Sequence, residues 1–205
     1  KKGSKRNQAR VYQNLGMVYS DREEWESAIE SFESCLKLTD ETDEKQLKAL
    51  TFLNLGKTYA RQKSLVKAKS FTQKALKLFK FMNDVLGIAE AYHIYGMIYS
   101  YDGDFEKAER FLQESIKINE EKEYREGLAD TYETYARIFR ESNKITQARE
   151  YYQKALQLYT LMNVDVKIKQ LTELIELLDS EEGKLEENLY GNILTQKYAK
   201  TIRHS

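Results

Sequence analysis

An all-α fold, in which pairs of helices stack as a solenoid, is predicted by two features of the sequence. The first is a repeat of 40 residues, marked by a column of small residues at Gly16, Gly56, Gly96 and Ala136. The second is the absence of proline from all 205 residues, in a chain rich in Leu, Glu and Lys. Small residues that recur among large ones at a fixed interval indicate one supersecondary unit stacked on copies of itself.

Further columns follow the same interval, and they are the ones that packed helices need. A small side chain lets two helices approach, and larger side chains fill the space around it. The aromatic, small and aliphatic columns are Tyr12/Phe52/Tyr92/Tyr132, Tyr19/Tyr59/Tyr99/Phe139, Ala28/Ala68/Ala108/Ala148, Cys35/Ala75/Ser115/Ala155 and Leu36/Leu76/Ile116/Leu156.

Each repeat is predicted to contain two helices. In the first repeat, one helix runs from about Lys5 to Ser20, with apolar residues spaced three and four apart. A polar break at 21–23 leads to a second helix that starts near Trp25. Equivalent breaks fall at 61–64, 101–104 and 141–144.

The clearest turn is the one at 101–104. Asp102 and Asp104 can cap exposed amides of the following helix, and Gly103 can adopt a positive φ. By contrast, no strong breaker interrupts the segments between repeats, which are therefore predicted to extend the helices: Thr39 to Glu44, Phe81 to Leu86, Asn119 to Tyr124 and Leu161 to Asp165.

The pattern changes after the fourth repeat. Residues 163–180 are predicted to form a capping helix, because Ile168, Leu171, Ile175 and Leu178 form an apolar stripe while Glu176 occupies the small-residue column. Residues 181–205 are predicted to be an amphipathic helix or a tail. Its apolar side, within 184–203, could dock on a partner, on a second copy to form a homodimer, or in the chain's own groove, or it could fray.

Composition limits the functions that the chain can have. Lys plus Arg and Asp plus Glu number 33 each, so no overall charge draws the chain to nucleic acid or to an anionic membrane. The only clear basic cluster is taken to be the N-terminal one, which contains Lys1, Lys2, Lys5, Arg6 and Arg10. No apolar run approaches the ~20 residues of a membrane helix and no signal peptide is visible, so a cytoplasmic location is expected. Because the sequence begins at Lys1 and not at Met, a fragment is suspected.

Catalysis has little support in the sequence. The two histidines, His93 and His204, are far apart, and neither a phosphate-binding loop nor a nucleophile motif is present. Cys35 stands in a small-residue column and is expected to be a packed residue, not a reactive thiol. Neither an enzyme activity, a metal nor a cofactor is expected.

The columns resemble the tetratricopeptide repeat over about residues 8–160. The family's first-helix pattern is matched by Tyr12, Leu15-Gly16 and Tyr19, and its second-helix pattern by Ala28, Phe32 and Cys35. The period exceeds the usual one of about 34 and the repeat-ending proline is missing. The chain is therefore most similar to the long-repeat branch, which includes kinesin light chains, Leu-Gly-Asn-type adaptors and bacterial peptide-pheromone receptors.

This resemblance implies a right-handed α-solenoid of four repeats, about 5–40, 41–80, 81–120 and 121–162, which together form the domain 1–162. It implies that the first helices line a concave face, and that an Asn two residues before the Gly column grips the backbone of a bound peptide. Asn14 and Asn54 match that position, whereas Ile94 and Thr134 do not. The candidate peptide-binding residues are Asn14, Asn54, Lys57, Arg61, His93, Met97, Tyr101, Arg137 and Arg140.

A non-catalytic module that binds a peptide or protein segment is the function predicted first. The alternatives are the peptide-sensing domain of a bacterial regulator and a scaffold that self-assembles through its C-terminal helix. Recognition of chaperone C-termini is not expected, because only Asn54 fits the carboxylate clamp of that subclass.

Overall fold

The structure, a computed structural model, describes residues 2–180 and contains within them nine helices and no strand. The predicted all-α fold of stacked helical repeats is confirmed. The helices are α1 Lys2–Asp21, α2 Trp25–Thr42, α3 Lys45–Arg61, α4 Leu65–Met82, α5 Val85–Tyr101, α6 Phe105–Glu121, α7 Arg125–Glu141, α8 Ile145–Leu161 and α9 165–180. The predictions for 181–205, including a dimer contact through 184–203, lie outside the described residues.

The chain packs as two compact units, Lys1–Thr134 and Tyr135–Ser205, divided within α7. In the first unit, α1 packs with α2, α3 with α4 and α5 with α6, while α3 also touches α1 and α5. The first helices of successive repeats therefore lie side by side. In the second unit, Tyr151 of α8 stacks on Phe139 of α7 and meets Tyr135 of the same helix edge to face.

The α9 helix keeps the repeat's apolar columns. Leu171, Ile175 and Leu178 are buried, and they stand 40 residues after Thr131, Tyr135 and Ile138. Glu176, in the small-residue column, is exposed. The helix thus has the buried and solvent-facing sides that a cap requires, and the capping role stays a prediction.

The backbone itself repeats every 20 residues, because the turns within and between repeats have the same form. At each turn one residue adopts a left-handed conformation, and the next amide donates to the carbonyl five residues earlier, as Glu24 does to Tyr19 at 2.9 Å. This is the hydrogen bond that ends a helix in a Schellman motif. The left-handed residues are Glu23, Asp43, Lys63, Asn83, Gly103, Glu123, Asn143 and Asn163.

The segments between repeats therefore do not continue the helices, and that interpretation was wrong. Asp43, Asn83, Glu123 and Asn163 have φ values of 53–55° and stop the helix in each of the four segments. Asn and Asp tolerate this conformation better than other non-glycine residues. The predicted turn at 101–104 is confirmed: Gly103 has φ 80°, and the Asp104 carboxylate accepts a hydrogen bond from the Lys107 amide at 3.1 Å.

Close helix contact explains the small-residue columns. A Cβ added to Gly96 would lie 2.4 Å from Leu112 Cδ2, and one added to Gly56 would lie 2.4 Å from Thr72 Oγ1. Gly16 is similarly close to the ring of Phe32. The facing column is fully buried at Ala28, Ala68, Ala108 and Ala148.

Buried polar side chains of neighbouring repeats contact each other. Cys35 lies 3.2 Å from the Thr51 hydroxyl, and Ser115 lies 3.1 Å from the Thr131 hydroxyl, so each buried polar group meets another across the boundary. Burial raises the pKa of the Cys35 thiol, and the Thr51 hydrogen bond only partly opposes this effect. Its packed, unreactive role agrees with the prediction.

The first repeat differs from the others in one respect. Val11 is 56% exposed and Val18 is 48% exposed, whereas the equivalent residues of the later repeats are buried at Thr51, Ala91, Thr131, Thr58, Ile98 and Ile138. In repeats two and four, the first of these columns meets the second helix of the repeat before, at Cys35–Thr51 and Ser115–Thr131. Within the described residues, α1 has no such helix beside it.

The close contact at Gly96 predicts the effect of adding one methyl group there. The crowding in Gly96→Ala should cost roughly 1–3 kcal/mol, because Leu112 is fully buried and has little room to move. The better helix propensity of Ala offsets about 1 kcal/mol of that cost, so we expect a net destabilisation of up to about 2 kcal/mol. Gly3→Ala is the matched control, since an added Cβ there meets nothing within 4 Å. Equal midpoints for both variants in urea unfolding would contradict the packing argument.

The left-handed turns predict opposite effects for two neighbouring substitutions. Glu123→Gly should stabilise the fold by up to about 1 kcal/mol, since Glu123 has φ 53° and glycine adopts that conformation without strain. Lys122→Gly should destabilise it by about 0.5–1 kcal/mol. Since φ at Lys122 is −99°, a glycine there relieves no strain and only adds the conformational entropy that it loses on folding. Thermal unfolding of the two variants measures both. Shifts of the same sign would show that conformational strain does not govern this turn.

Candidate functional site

A polar cleft lies between the first helices of repeats one and two. Asn54, Lys57 and Arg61 follow one another at helical spacing on α3 and line a cavity of about 120 Å³, which Met17 and Asp21 of α1 border. The remaining lining residues are Ser20, Phe32 and Thr58. Since all three α3 side chains are only partly buried, the cleft offers amide and cationic donors next to an exposed methionine.

Two contacts fix the walls of this cleft. Arg61 Nη1 lies 3.3 Å from Asp21 Oδ1 in a partly exposed ion pair. Below it, the Ser20 and Thr58 hydroxyls lie 2.9 Å apart in a buried hydrogen bond. The buried bond holds α1 against α3, whereas the ion pair, exposed to water, is the weaker of the two.

A second polar group extends this surface onto α5. His93 is 3% exposed, and its Nε2 lies 2.8 Å from the Thr134 hydroxyl of α7. Its Nδ1 lies 3.7 Å from Glu90 Oε1, which is too far for a hydrogen bond but close enough for charge attraction. A carboxylate beside Nδ1 favours a proton on that nitrogen, and Nε2 shares a hydrogen bond with the Thr134 hydroxyl.

Glu90 stays ionised throughout the ordinary pH range. Burial alone would raise its pKa, but His93 and the Lys57 ammonium outweigh that effect and hold the pKa at about 2. Lys57 thus links the α3 cleft to the α5 group. Glu90 also borders a second cleft, of about 360 Å³, whose other lining residues are Gln46, Leu50, Leu53, Asp84, Leu86, Gly87 and Tyr124.

The predicted site residues fall into three groups. Asn54, Lys57 and Arg61 meet in one cleft, as described above. His93 and Met97 lie on α5, the first helix of repeat three, and are almost fully buried. The others are Asn14, exposed on α1; Tyr101, half-buried beneath the Lys63 ammonium, which is 3.8 Å from the ring centre; and Arg137 and Arg140, in the second unit.

One buried acceptor adds to the polar character of the first helices. Gln13 of α1 is 8% exposed, and its Oε1 has no hydrogen-bond partner within residues 2–180. A buried carbonyl oxygen of this kind costs free energy until a donor reaches it.

The sequence also holds a basic region that we did not identify from the repeat pattern. From Lys45 to Asn83 there are ten Lys and Arg residues and no Asp or Glu. The interpretation that the N-terminal cluster is the clear basic one was therefore wrong. A running count of charge finds the region at once, whereas columns of core residues cannot reveal it.

The described residues contain neither a cluster suited to a metal ion nor a membrane-spanning helix. No group of three or more His, Cys, Asp or Glu between 2 and 180 is placed to hold a metal ion. No helix in that range is long and apolar enough to span a membrane.

The low pKa of Glu90 predicts acid-dependent stability. Its ionised form stabilises the fold above the ordinary carboxyl value of 4.5, and this contribution is lost as pH falls from there toward 2. At pH 5 the free energy of unfolding of the Glu90→Gln variant should therefore be roughly 2 kcal/mol lower than that of the unsubstituted protein. This difference in free energy should be smaller at pH 3.

Urea unfolding at several pH values between 5 and 3 measures this gap. Glu106→Gln is the control, because Glu106 is an exposed carboxylate paired only with Arg110 one helical turn later. Its effect should stay small at every pH. A Glu90→Gln gap that does not change with pH would contradict the assignment.

Comparison with known proteins gives the same repeat. Residues 7–80 and 87–160 match the model of the tetratricopeptide repeat family. No curated protein matches the sequence.

Three solved structures are similar in fold. Aspartyl phosphate phosphatase F from Bacillus subtilis superposes with a TM-score of 0.72 at 16% identity, over 88% of this chain and 47% of that one. The apo form of RapI has a TM-score of 0.65 at 17% identity, over 86% of this chain and 64% of that one. BtubC (BKLC) from P. vanneervenii has a TM-score of 0.50 at 13% identity, over 89% and 91%.

At such identities the likeness shows the fold alone, and the chain spans only about half of the first structure and under two thirds of the second. The family match covers well over half of the sequence and agrees with the paired helices and their turns. The chain belongs to the tetratricopeptide repeat family.

Proposed function

We propose that the cleft on α3 binds an extended segment of a partner protein, without catalysis. Repeats of this family form protein–protein interaction modules, and they are generally non-catalytic. The observation that carries the proposal is the meeting of Asn54, Lys57 and Arg61 in one partly open cleft beside Met17.

The chemistry of these groups fits a peptide backbone. The Asn54 amide can donate to a main-chain carbonyl and accept from a main-chain amide at once. Lys57 and Arg61 add donors for carbonyls or for an acidic side chain, and Met17 offers an adaptable apolar contact. A donor from the bound segment would also suit the buried Oε1 of Gln13.

The neighbouring group on α5 supports the same role in a different way. The Lys57 ammonium helps to lower the pKa of Glu90, so the charges of the two clefts interact. His93 and Met97 are buried, so we propose that they shape the floor, while Asn54 and Arg61 make the polar contacts. The match of Asn14 to the family's backbone-gripping position remains part of the proposal.

A peptide array followed by affinity measurements tests this proposal. For the peptides that bind, Asn54→Ala should weaken binding by roughly 3- to 10-fold, the size of one or two hydrogen bonds. Ser70→Ala, an exposed change on α4, should have no effect. Asn14→Ala tests the second matching position separately.

The outcome is decided by folded variants only, as judged by circular dichroism. If Asn54→Ala and Arg61→Ala both keep full affinity for every peptide bound by the unsubstituted protein, the α3 cleft is not the binding site.

A further inference from the structure

The basic region between Lys45 and Asn83 is not required by the fold. The other repeats form the same two helices with acidic residues in the same columns: Glu23 stands where repeat two has Lys63, Glu114 where it has Lys74, and Asp40 and Glu120 where it has Lys80. With 33 basic and 33 acidic residues overall, the remainder of the chain has a matching excess of ten acidic residues. The excess of positive charge therefore belongs to one repeat, and the rest of the chain carries the negative charge that compensates it.

The positive charge is concentrated on the outer face of α4. This helix contains five lysines and no acidic residue. Lys67, Lys74, Lys77 and Lys80 are exposed, and within the described part of the chain none of them pairs with a carboxylate. Lys69 differs, since its ammonium lies 2.7 Å from Asp102.

Two of these lysines, Lys67 and Lys74, contact aromatic rings and not carboxylates. The Lys74 ammonium lies 4.8 Å from the ring centre of Phe71 and 5.5 Å from that of Phe52. Lys67 lies 5.1 Å from the ring centre of Tyr59. A cation held over a ring keeps its charge and remains available to an anion.

The face also has a depression with an apolar floor. Lys74, Lys77, Lys80 and Gln73 line an open surface recess of about 500 Å³, and Leu76, partly buried against the core, also lines it. At the two ends of the face, Val66 is 85% exposed and Phe81 is 69% exposed. The helix between them is about 22 Å long, the span of about seven extended residues.

We infer that this α4 face is a second docking surface, and that its partner is a protein segment in which acidic residues flank an apolar side chain. Three ammonium groups around an apolar floor complement a carboxylate–apolar–carboxylate arrangement. A planar lipid surface would not enter the depression. A nucleic acid backbone would leave Leu76, Val66 and Phe81 unused, and α4 offers no arginine for bidentate phosphate contacts.

The test uses a labelled acidic peptide of about twelve residues in which Leu is flanked by Glu. The full chain should bind it, and Lys74→Glu with Lys77→Glu should weaken binding at least about 10-fold. Lys154→Glu with Lys117→Glu is the matched control: these lysines occupy the same two columns in repeats four and three, and the change in net charge is identical. The control should stay within about twofold of the unsubstituted protein.

Further probes separate the other occupants. The same peptide with Gln for Glu, an acidic peptide with Gly for Leu, a single-stranded DNA oligomer and phosphatidylserine vesicles should each bind at least about 10-fold more weakly than the acidic–apolar peptide. If DNA or vesicles bind better, the proposed partner is wrong. Light scattering should give the same mass with and without the α4 changes, and a change in mass would assign the face to a second copy.

The inference fails if the acidic–apolar peptide does not bind, or if both double variants weaken its binding equally, because net charge alone would then account for it. Glu114 already occupies the Lys74 column in repeat three, so the charge reversal is compatible with the helix pair. Lys74→Gln with Lys77→Gln, which avoids new charge, should give a smaller loss in the same direction. None of these changes touches the α3 cleft, so the result is independent of peptide binding there.

Discussion

The approach of two helices at the small-residue column is the contact on which the rest of this fold depends. Gly56 and Gly96 face Thr72 and Leu112 at distances that leave no room for another atom. Helices packed this closely also fix the positions of the neighbouring residues, including Asn54 and Lys57, which stand two residues before and one residue after Gly56. Protein interiors transmit such constraints because they are dense and resist compression. The cleft is therefore held in shape by residues that do not line it.

Sequence reasoning recovers the parts of the fold that depend on patterns within one repeat. The helices, the small-residue columns and the turns at 21–24 and 101–104 follow from apolar spacing and polar breaks. The turns at Asp43 and Glu123 do not, because neither residue is a strong breaker. Their left-handed conformation accompanies the bond from the following amide to a carbonyl five residues earlier, a backbone motif that does not require a glycine.

The candidate site is less predictable because it depends on neighbours from other repeats. His93 has the position of a groove residue, yet the structure buries it. Its hydrogen-bond partner, Thr134, stands 41 residues later in the next repeat. Asn14 and Asn54 are equivalent in register, but the cleft between α1 and α3 is lined by Asn54 and not by Asn14. The basic region was missed for the opposite reason: it lies on the solvent-facing positions that an alignment of core columns leaves out.

The uneven distribution of charge has a consequence for how this neutral chain meets other molecules. Ten positive charges in 39 residues, with no acidic residue among them, give repeat two a positive local potential although the net charge of the chain is zero. Such a local charge attracts oppositely charged molecules over about a Debye length, before any contact forms, and so biases where the encounter takes place. Partners of opposite local charge would be drawn toward repeat two as they approach. The rate of association, more than the lifetime of the complex, is then the quantity that added salt would reduce.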